Sequence, residues 1–529
     1  MNKIFYTAAV LFVFLSFFSL NAQSIKRDAS FGDNGTIYLR DARFDYTTLK
    51  LFQDPSTEEM LNAGFYYDYD NDESGLFFSK NKSNGDLDGT FASNGVLRLS
   101  SVDYPFRNII RIRQAVDKSY LVLLGNSDVH NADTTAVICF TSKGKIVTDF
   151  GNGGLLTGSK GVIRDFDILA DAKVLALSSS IDTTTLETTN WFGRYTQLGV
   201  SDPTFGSAGY QEFEKSFAGY VRMDKVGQTY VCTGNAIDLT QQTFVPVLCK
   251  VNANGIQDKS FGEPAAVFGA GLSSGALVFP TNLHPLKDGG FLIDGYSINL
   301  DSFYLADFVT KMDKNGQTVS TFGTDGYLEF DDLWQGELYG LSAMELPGNQ
   351  ILVTNTDVDN SDMLEMSFYL FDKDGVAVSK FGNKGNQRMK IDDLQTIVLS
   401  AFISPVGKIF VGGDVTNSAD VYESHISKLL LNSVSVSEEQ DAVGQAVVFP
   451  NPVADKAIIT YDLPESMPVS IDLTDLQGRK VQSVVNEQVR AEGKQKEEIN
   501  LNSAVSPGVY MLQIGTAGRQ LHTIKIVKM

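Results

Sequence analysis

The pentapeptide Phe-Gly-x-x-Gly occurs five times in this chain, at Phe31, Phe150, Phe205, Phe322 and Phe381, and it constrains the fold more than any other feature. Phe91 opens a variant with Ala92 in place of the first glycine, and Phe261 opens another that lacks the last one. Successive markers lie 60, 59, 55, 56, 61 and 59 residues apart. The chain's own phenylalanine and glycine content would give roughly 0.3 complete matches by chance, so the period is a property of the fold. A block of this length, repeated in phase, buries its apolar faces mainly against its neighbours.

Each period also holds turn signals followed by short apolar runs. Examples are Asp117-Lys118 before Tyr120–Leu124, Asp288-Gly289 before Phe291–Ile293, Pro347-Gly348 before Ile351–Val353, and Val406-Gly407 before Ile409–Val411. Runs this short, bounded by turn chemistry, read as strands buried on both faces. One unit contains four such strands, Tyr46–Gln53, Glu59–Tyr67, Leu76–Lys80 and Val96–Leu99, named A to D. Four short strands per period form the blade of a β-propeller, with A innermost. The marker phenylalanine is expected to wedge between blades, its glycines supplying positive φ in the turn before D.

The ends of the array predict a ring. The first marker is followed only by a D-like strand (Thr36–Leu39), whereas the last is followed by Asn386–Met389 and then by Ile397–Phe402, Lys408–Val411 and His425–Leu431. Six complete blades and one composite make a seven-bladed β-propeller over residues 23–431, closed by its N-terminal strand so that no long edge stays unpaired. With Asn84-Gly85-Asp86, Asn254-Gly255-Ile256 and Lys314-Asn315-Gly316 ahead of the next marker, the array resembles the delta-60 repeat family of β-propellers. That resemblance implies no catalytic motif.

Residues 1–22 carry Lys3, an apolar run from Ile4 to Leu20 and the exit Leu20-Asn21-Ala22, which predicts a secretory signal cut between Ala22 and Gln23. Lacking another apolar span, the mature chain is expected to have no transmembrane anchor. A polar stretch at 432–445 reads as a linker, and 446–529 as a small immunoglobulin-like β-sandwich with turns at Asn451-Pro452, Gln477-Gly478 and Pro507-Gly508. Pro450, Asn451 and Pro452, the turn around Gly478, Gly508 with Tyr510, and the terminal Lys525 to Lys528 resemble the type A C-terminal sorting domain of the type IX secretion system. The resemblance implies passage across the outer membrane, removal of this domain by a sortase-like protease, and attachment at the surface or release.

A formal charge of −21 argues against nucleic acid as a partner, because such binding relies on lysine and arginine neutralising phosphates. Cys139, Cys232 and Cys249 sit in apolar runs and read as buried thiols, with a Cys232–Cys249 bridge left open. Four scattered histidines offer no zinc spacing, and Gly271-Leu272-Ser273-Ser274-Gly275 has strand rather than helix after it, unlike a nucleophile elbow. Asp68, Asp70 and Asp72 alternate as calcium ligands do but lack the glycine and glutamate of an EF-hand loop, so they read as a hairpin tip with Ca²⁺ as the alternative; no other metal or cofactor is expected.

The B-to-C and D-to-A loops share one end of the ring. That places Trp191, Trp334 and Tyr104 near one face, where aromatics suit a glycan, while packing between blades is the plainer role. The expected function is non-enzymatic binding of a glycan, matrix or envelope partner; a glycan-active hydrolase or lyase, or a structural spacer, are the alternatives.

Overall fold

The computed structural model describes residues 23–528, apart from 127–133, 183, 186, 214–217, 239–242, 262–265, 268–271, 273–275, 300–304, 332–340, 360, 362, 405–406, 417–420, 434–443, 464–465, 476–479, 502–504 and 517–518. Within it the chain separates into two compact units, residues 22–433 and a C-terminal unit that runs to Met529. Among the described residues the only helix is the 3-10 turn Lys259–Phe261, and no helix is long and apolar enough to cross a membrane.

The larger unit is a succession of small antiparallel sheets, I to VII, each a meander of strands A to D. Their A strands are Phe44–Gln53, Asn108–Gln114, Val162–Ile168, Ala218–Val226, Ala276–Pro285, Ser342–Glu345 and Gln395–Ile403. These touch one another in order, and the last touches the first. Sheet VII is completed from the other end of the chain. Thr36–Leu39 pairs with its C strand, Tyr422–Ser433, and so does Gln23–Arg27, a strand the apolar pattern did not reveal. Gln23 also bonds Lys380 of sheet VI, so the N-terminal strand ties VI to VII.

Each junction between neighbouring sheets has an apolar cluster holding one marker phenylalanine. Phe91 sits between I and II, Phe150 between II and III, Phe205 between III and IV, Phe261 between IV and V, Phe322 between V and VI, Phe381 between VI and VII, and Phe31 with Phe410 and Met60 between VII and I. All seven rings are at most 3% exposed. Burying a phenylalanine contributes roughly 1.5–3 kcal/mol through the water it releases.

The turn that carries each ring has one backbone form. Where the five residues are described, the second, fourth and fifth have positive φ, for example 57°, 48° and 91° at Gly32, Asn34 and Gly35, and 44°, 53° and 92° at Ala92, Asn94 and Gly95. Values near 50° lie in the left-handed region that asparagine, and at some cost alanine, can enter; values near 90° suit glycine alone. That is why Ala92 is tolerated while every described fifth position of this turn is glycine.

Polar side chains fasten the inner edge. Asp165 accepts the Met223 N–H at 2.9 Å, Asp294 that of Ala343 at 3.2 Å, and Asp414 that of Thr48 at 3.1 Å, each reaching the A strand of the next sheet. Thr135, Asn235 and Thr356 make the equivalent reach at 2.8, 2.5 and 2.9 Å.

The C-terminal unit packs a three-stranded sheet (Gly444–Phe449, Lys456–Leu463, Gly493–Asn500) and a four-stranded one (Lys480–Arg490, Met467–Thr474, Gly508–Thr516, Arg519–Lys528) around Ile459, Ile471, Leu473, Leu512, Ile514 and Ile526. Asn451 splits its amide over the last strand, donating to Lys525 O at 2.7 Å and accepting from Val527 N at 2.9 Å. Lys528 is buried and donates to Ala454 O, and Tyr510 donates to Ser506 O at 2.8 Å. Pro450, Pro452 and Lys525 are exposed; Gly478 lies outside the described residues.

Candidate functional site

In six of the seven A strands the pairing register slips at the same place, a β-bulge: Thr48/Lys50, Ile109/Arg111, Ile163/Asp165, Tyr220/Arg222, Pro280/Asn282 and Val398/Ser400. A bulge re-aims the side chain beside it and so recurs next to binding sites. The backbone event repeats, but the residue after it does not. In order around the sheets it is lysine, arginine, aspartate, arginine, asparagine and serine, polar in every case.

These groups converge. Arg111 grips Asp165 through two bonds of 2.8 and 2.5 Å, reaches Asp224 at 3.3 Å and donates to Met223 O at 2.8 Å, so one guanidinium spans sheets II, III and IV. Burial opposes ionisation of Asp165, yet Arg111 overrides it and holds the carboxyl below its ordinary range. Behind this pair Arg113 bonds Asp167 at 3.0 Å, and Tyr230 donates to the same carboxylate at 3.0 Å. Asp294, fully buried, accepts from His284 at 2.8 Å and Asn282 at 2.8 Å; burial again works against its charge, and His284 and Asn282 keep it low.

Lys50 and Arg222 complete the cluster. Lys50 is half-buried, and burial followed by repulsion from Arg222 and Arg111 pushes its ammonium down to about 8. The charges that act on it belong to four other sheets: Arg111 from II, Asp165 from III, Arg222 from IV and Asp294 from V. Burial likewise drives Arg222 below its usual value. The cluster therefore lies where the inner strands meet.

The predicted site residues that are described lie elsewhere in the fold. Trp191 stands half-buried in the strand Thr188–Tyr195 of sheet III, paired with Ser178 and Glu212. Tyr104 packs on the apolar cluster between sheets I and II. Trp334 and Ala22 lie outside the described residues, and Gln23 begins the first strand. Asp68 is clasped by Arg43 through bonds of 2.8 and 2.5 Å and accepts from Asp70 N, while Asp72 accepts from Tyr67, so the hairpin-tip carboxylates are engaged by protein donors. Among the described residues no three His, Cys, Asp or Glu side chains converge as metal ligands. Cys232 and Cys249 stand directly opposite each other as buried thiols.

A concavity of about 710 Å³ opens between sheets II and III on the side of the A-to-B turns, lined by Val116, Leu121, Cys139, Val147, Ile168 and Leu198. Its origin is local. In every sheet the residue three before the marker donates its N–H to one C-strand carbonyl. Four sheets put an aspartate there: Asp28 with Lys428 at 2.6 Å, Asp88 with Lys80 at 3.7 Å, Asp202 with Arg194 at 2.8 Å, and Asp258 beside Lys250. Sheet II substitutes Val147 and the short Cys139, and the space of the long cation stays open.

The inner cluster was not read from the sequence, although a signal was there: Lys50, Arg111, Asp165, Arg222 and Asn282 each fall about 40 positions ahead of the next marker phenylalanine, a recurring polar phase of the repeat.

Residues 447–529 match the family described as the secretion system C-terminal sorting domain. No curated protein matches the chain. Similar solved structures include the β-propeller domain of the Trilobed protease from Pyrococcus furiosus (8% identity, 67% of this chain and 89% of that one, TM-score 0.29). Others are an endo-arabinase from Bacteroides thetaiotaomicron (12%, 65% and 99%, TM-score 0.20) and an acylaminoacyl peptidase from Pyrococcus horikoshii (9%, 80% and 59%, TM-score 0.35). Similarity at this level transfers no chemistry. The sorting domain does fix a destination: the protein leaves by the type IX secretion system for the cell surface or the extracellular space.

Proposed function

We propose that this chain is a non-enzymatic binding protein displayed outside the cell: a seven-bladed β-propeller of the delta-60 type, closed by its N-terminal strand, whose axis recognises a glycan, matrix or envelope partner. On this reading the signal is cut after Ala22, and the immunoglobulin-like C-terminal sandwich is removed by a sortase-like protease once its export role is complete.

The observation that carries the reading is the bulge shared by six inner strands with a different polar residue after each one. A purely structural spacer has no use for such a set, because charges buried among strands cost stability unless paired. Binding is favoured over hydrolysis because glycosidic cleavage asks for two carboxyl groups acting as acid and base or nucleophile. Asp165 is clasped by Arg111, and Asp294 by His284, Asn282 and the Ala343 N–H. The test is to expose the purified protein spanning residues 23–529 to a glycan and matrix array and to analyse the products of every hit. Retention without cleavage is expected; a shortened glycan would overturn the non-enzymatic reading.

A further inference from the structure

In front of the Arg113–Asp167 pair the inner cluster holds the cations Lys50, Arg111 and Arg222 and the carboxylates Asp165, Asp224 and Asp294, but they do not pair off evenly. Asp165 and Asp224 are both taken by Arg111, and Asp294 by His284, Asn282 and a backbone N–H. Two cations are left over. Arg222, 5% exposed, makes a single bond of 3.2 Å, from one terminal nitrogen to the carbonyl of Val221, and has no ion pair among the described residues. A guanidinium has five N–H donors in a planar fork, so most of its capacity is without a protein partner among the described residues. Lys50 likewise has neither ion pair nor side-chain hydrogen bond among the described residues. In a chain of charge −21, with acidic groups abundant for pairing, two such cations at the equivalent bulge on the inner strands of sheets I and IV are a costly arrangement unless something arrives to meet them.

We propose that Lys50 and Arg222 form an oxyanion-binding site at the axis, which takes the carboxylate of an acidic sugar or a free ion of the same size and charge. This rests on the reading of the axis as the binding region. Arg222 would supply the planar fork that matches a carboxylate, and Lys50, which touches water, the point charge at the entrance. Arg111, locked by two carboxylates, would stay a positioning residue that fixes Asp165 away from the ligand.

The test uses the purified protein spanning residues 23–529, with galacturonate, trigalacturonate, galactose and inorganic phosphate as probes in calorimetry and thermal unfolding. Galacturonate is expected to bind and raise Tm, with galactose at least about tenfold weaker. Trigalacturonate binding tighter than the monomer points to a glycan-borne group; phosphate matching galacturonate points to a free ion. Lys50→Met and Arg222→Met should each weaken binding about tenfold or more, with Arg222→Lys intermediate. Should a variant fail to fold, galacturonate should still shield Lys50 of the wild type from an amine-acylating reagent, read by peptide mass spectrometry. Equal binding of galactose and galacturonate that both variants weaken would overturn the oxyanion site and leave the axis as the binding region. Binding untouched by either variant would overturn both. No response to any oxyanion at millimolar concentration, with no shielding of Lys50, would overturn the site.

Discussion

The outer and inner edges of the propeller sheets follow opposite rules. At the outer edge backbone and residue repeat together: a buried phenylalanine, a turn with three positive φ values, a glycine where φ is near 90°. At the inner edge only the backbone repeats, and the residue after each bulge changes from sheet to sheet. A position that repeats in both respects is explained by packing between neighbours. One that repeats in backbone but not in residue has been released from packing, and there a repeat protein has room to hold a function.

The contrast breaks hardest with Phe150→Ala against Lys50→Met. Removing the fully buried Phe150 ring is expected to cost about 3–5 kcal/mol in denaturant unfolding, since it opens a cavity between sheets II and III. Lys50→Met should leave stability within about 1 kcal/mol of wild type or raise it, because it removes a poorly solvated cation without a partner to orphan. Comparable losses at the two sites would mean that the inner cluster is structural. Next comes the turn itself. Gly95→Ala puts a Cβ at φ 92° and 2.5 Å from Leu87, and should cost about 1–3 kcal/mol, whereas Asn94→Gly, at φ 53°, should be close to neutral by thermal unfolding.

The same contrast explains what the sequence disclosed. Phe31 to Phe381 were legible because one steric demand, a ring beside a left-handed turn, admits very few residues, so the demand surfaces as a motif. The expected strands Tyr46–Gln53 and Val96–Leu99 match Phe44–Gln53 and Val96–Ser100 for the same reason. Arg111, Asp165 and Arg222 share a bulge rather than a residue type, and a bulge has no signature in composition. Gln23–Arg27 escaped notice because it reads as polar; its partners, Leu429–Ser433 and Gln387, are distant in sequence. The aromatic set Trp191, Trp334 and Tyr104 followed from topology alone, without knowledge of which side chains the strands would absorb.

Sheet VII, which meets sheet I, offers a pH test of the inner edge. Burial drives the Asp414 carboxyl up to about 8, against the lowering pull of hydrogen bonds from Thr47 and Thr48, and burial pushes His425 down to about 4. The proton on folded Asp414 contributes stability that is complete below its unfolded value of 3.8 and is lost as pH rises through about 8. For His425 the neutral ring contributes above its unfolded 6.5 and is lost as pH falls through about 4. Their slopes oppose each other between about 4 and 6.5, and above 6.5 Asp414 acts alone. Asp414→Asn keeps an acceptor for Thr48 N, so the stability difference between wild type and variant should shrink by up to about 1.4 kcal/mol per unit from pH 6.5 to 8. A flat difference would show that Asp414 ionises normally.

The smallest effect probes a place where the outer edge departs from the aspartate–cation pairing of four sheets. If the cleft between sheets II and III exists because Val147 and Cys139 replace the aspartate and cation of other sheets, restoring both should close it. Val147→Asp alone places a carboxylate beside apolar walls, and Cys139→Lys alone brings a cation without its partner, so each should destabilise. Together they should recover about 0.2–1 kcal/mol relative to the sum of the single changes, the worth of a partly exposed ion pair. The structural readout is sharper than the energetic one: the introduced ammonium chain should occupy the 710 Å³ space and meet the introduced carboxylate as Lys428 meets Asp28. An additive double variant with the cleft still open would mean that the A-to-B turns, and not the missing pair, hold the sheets apart.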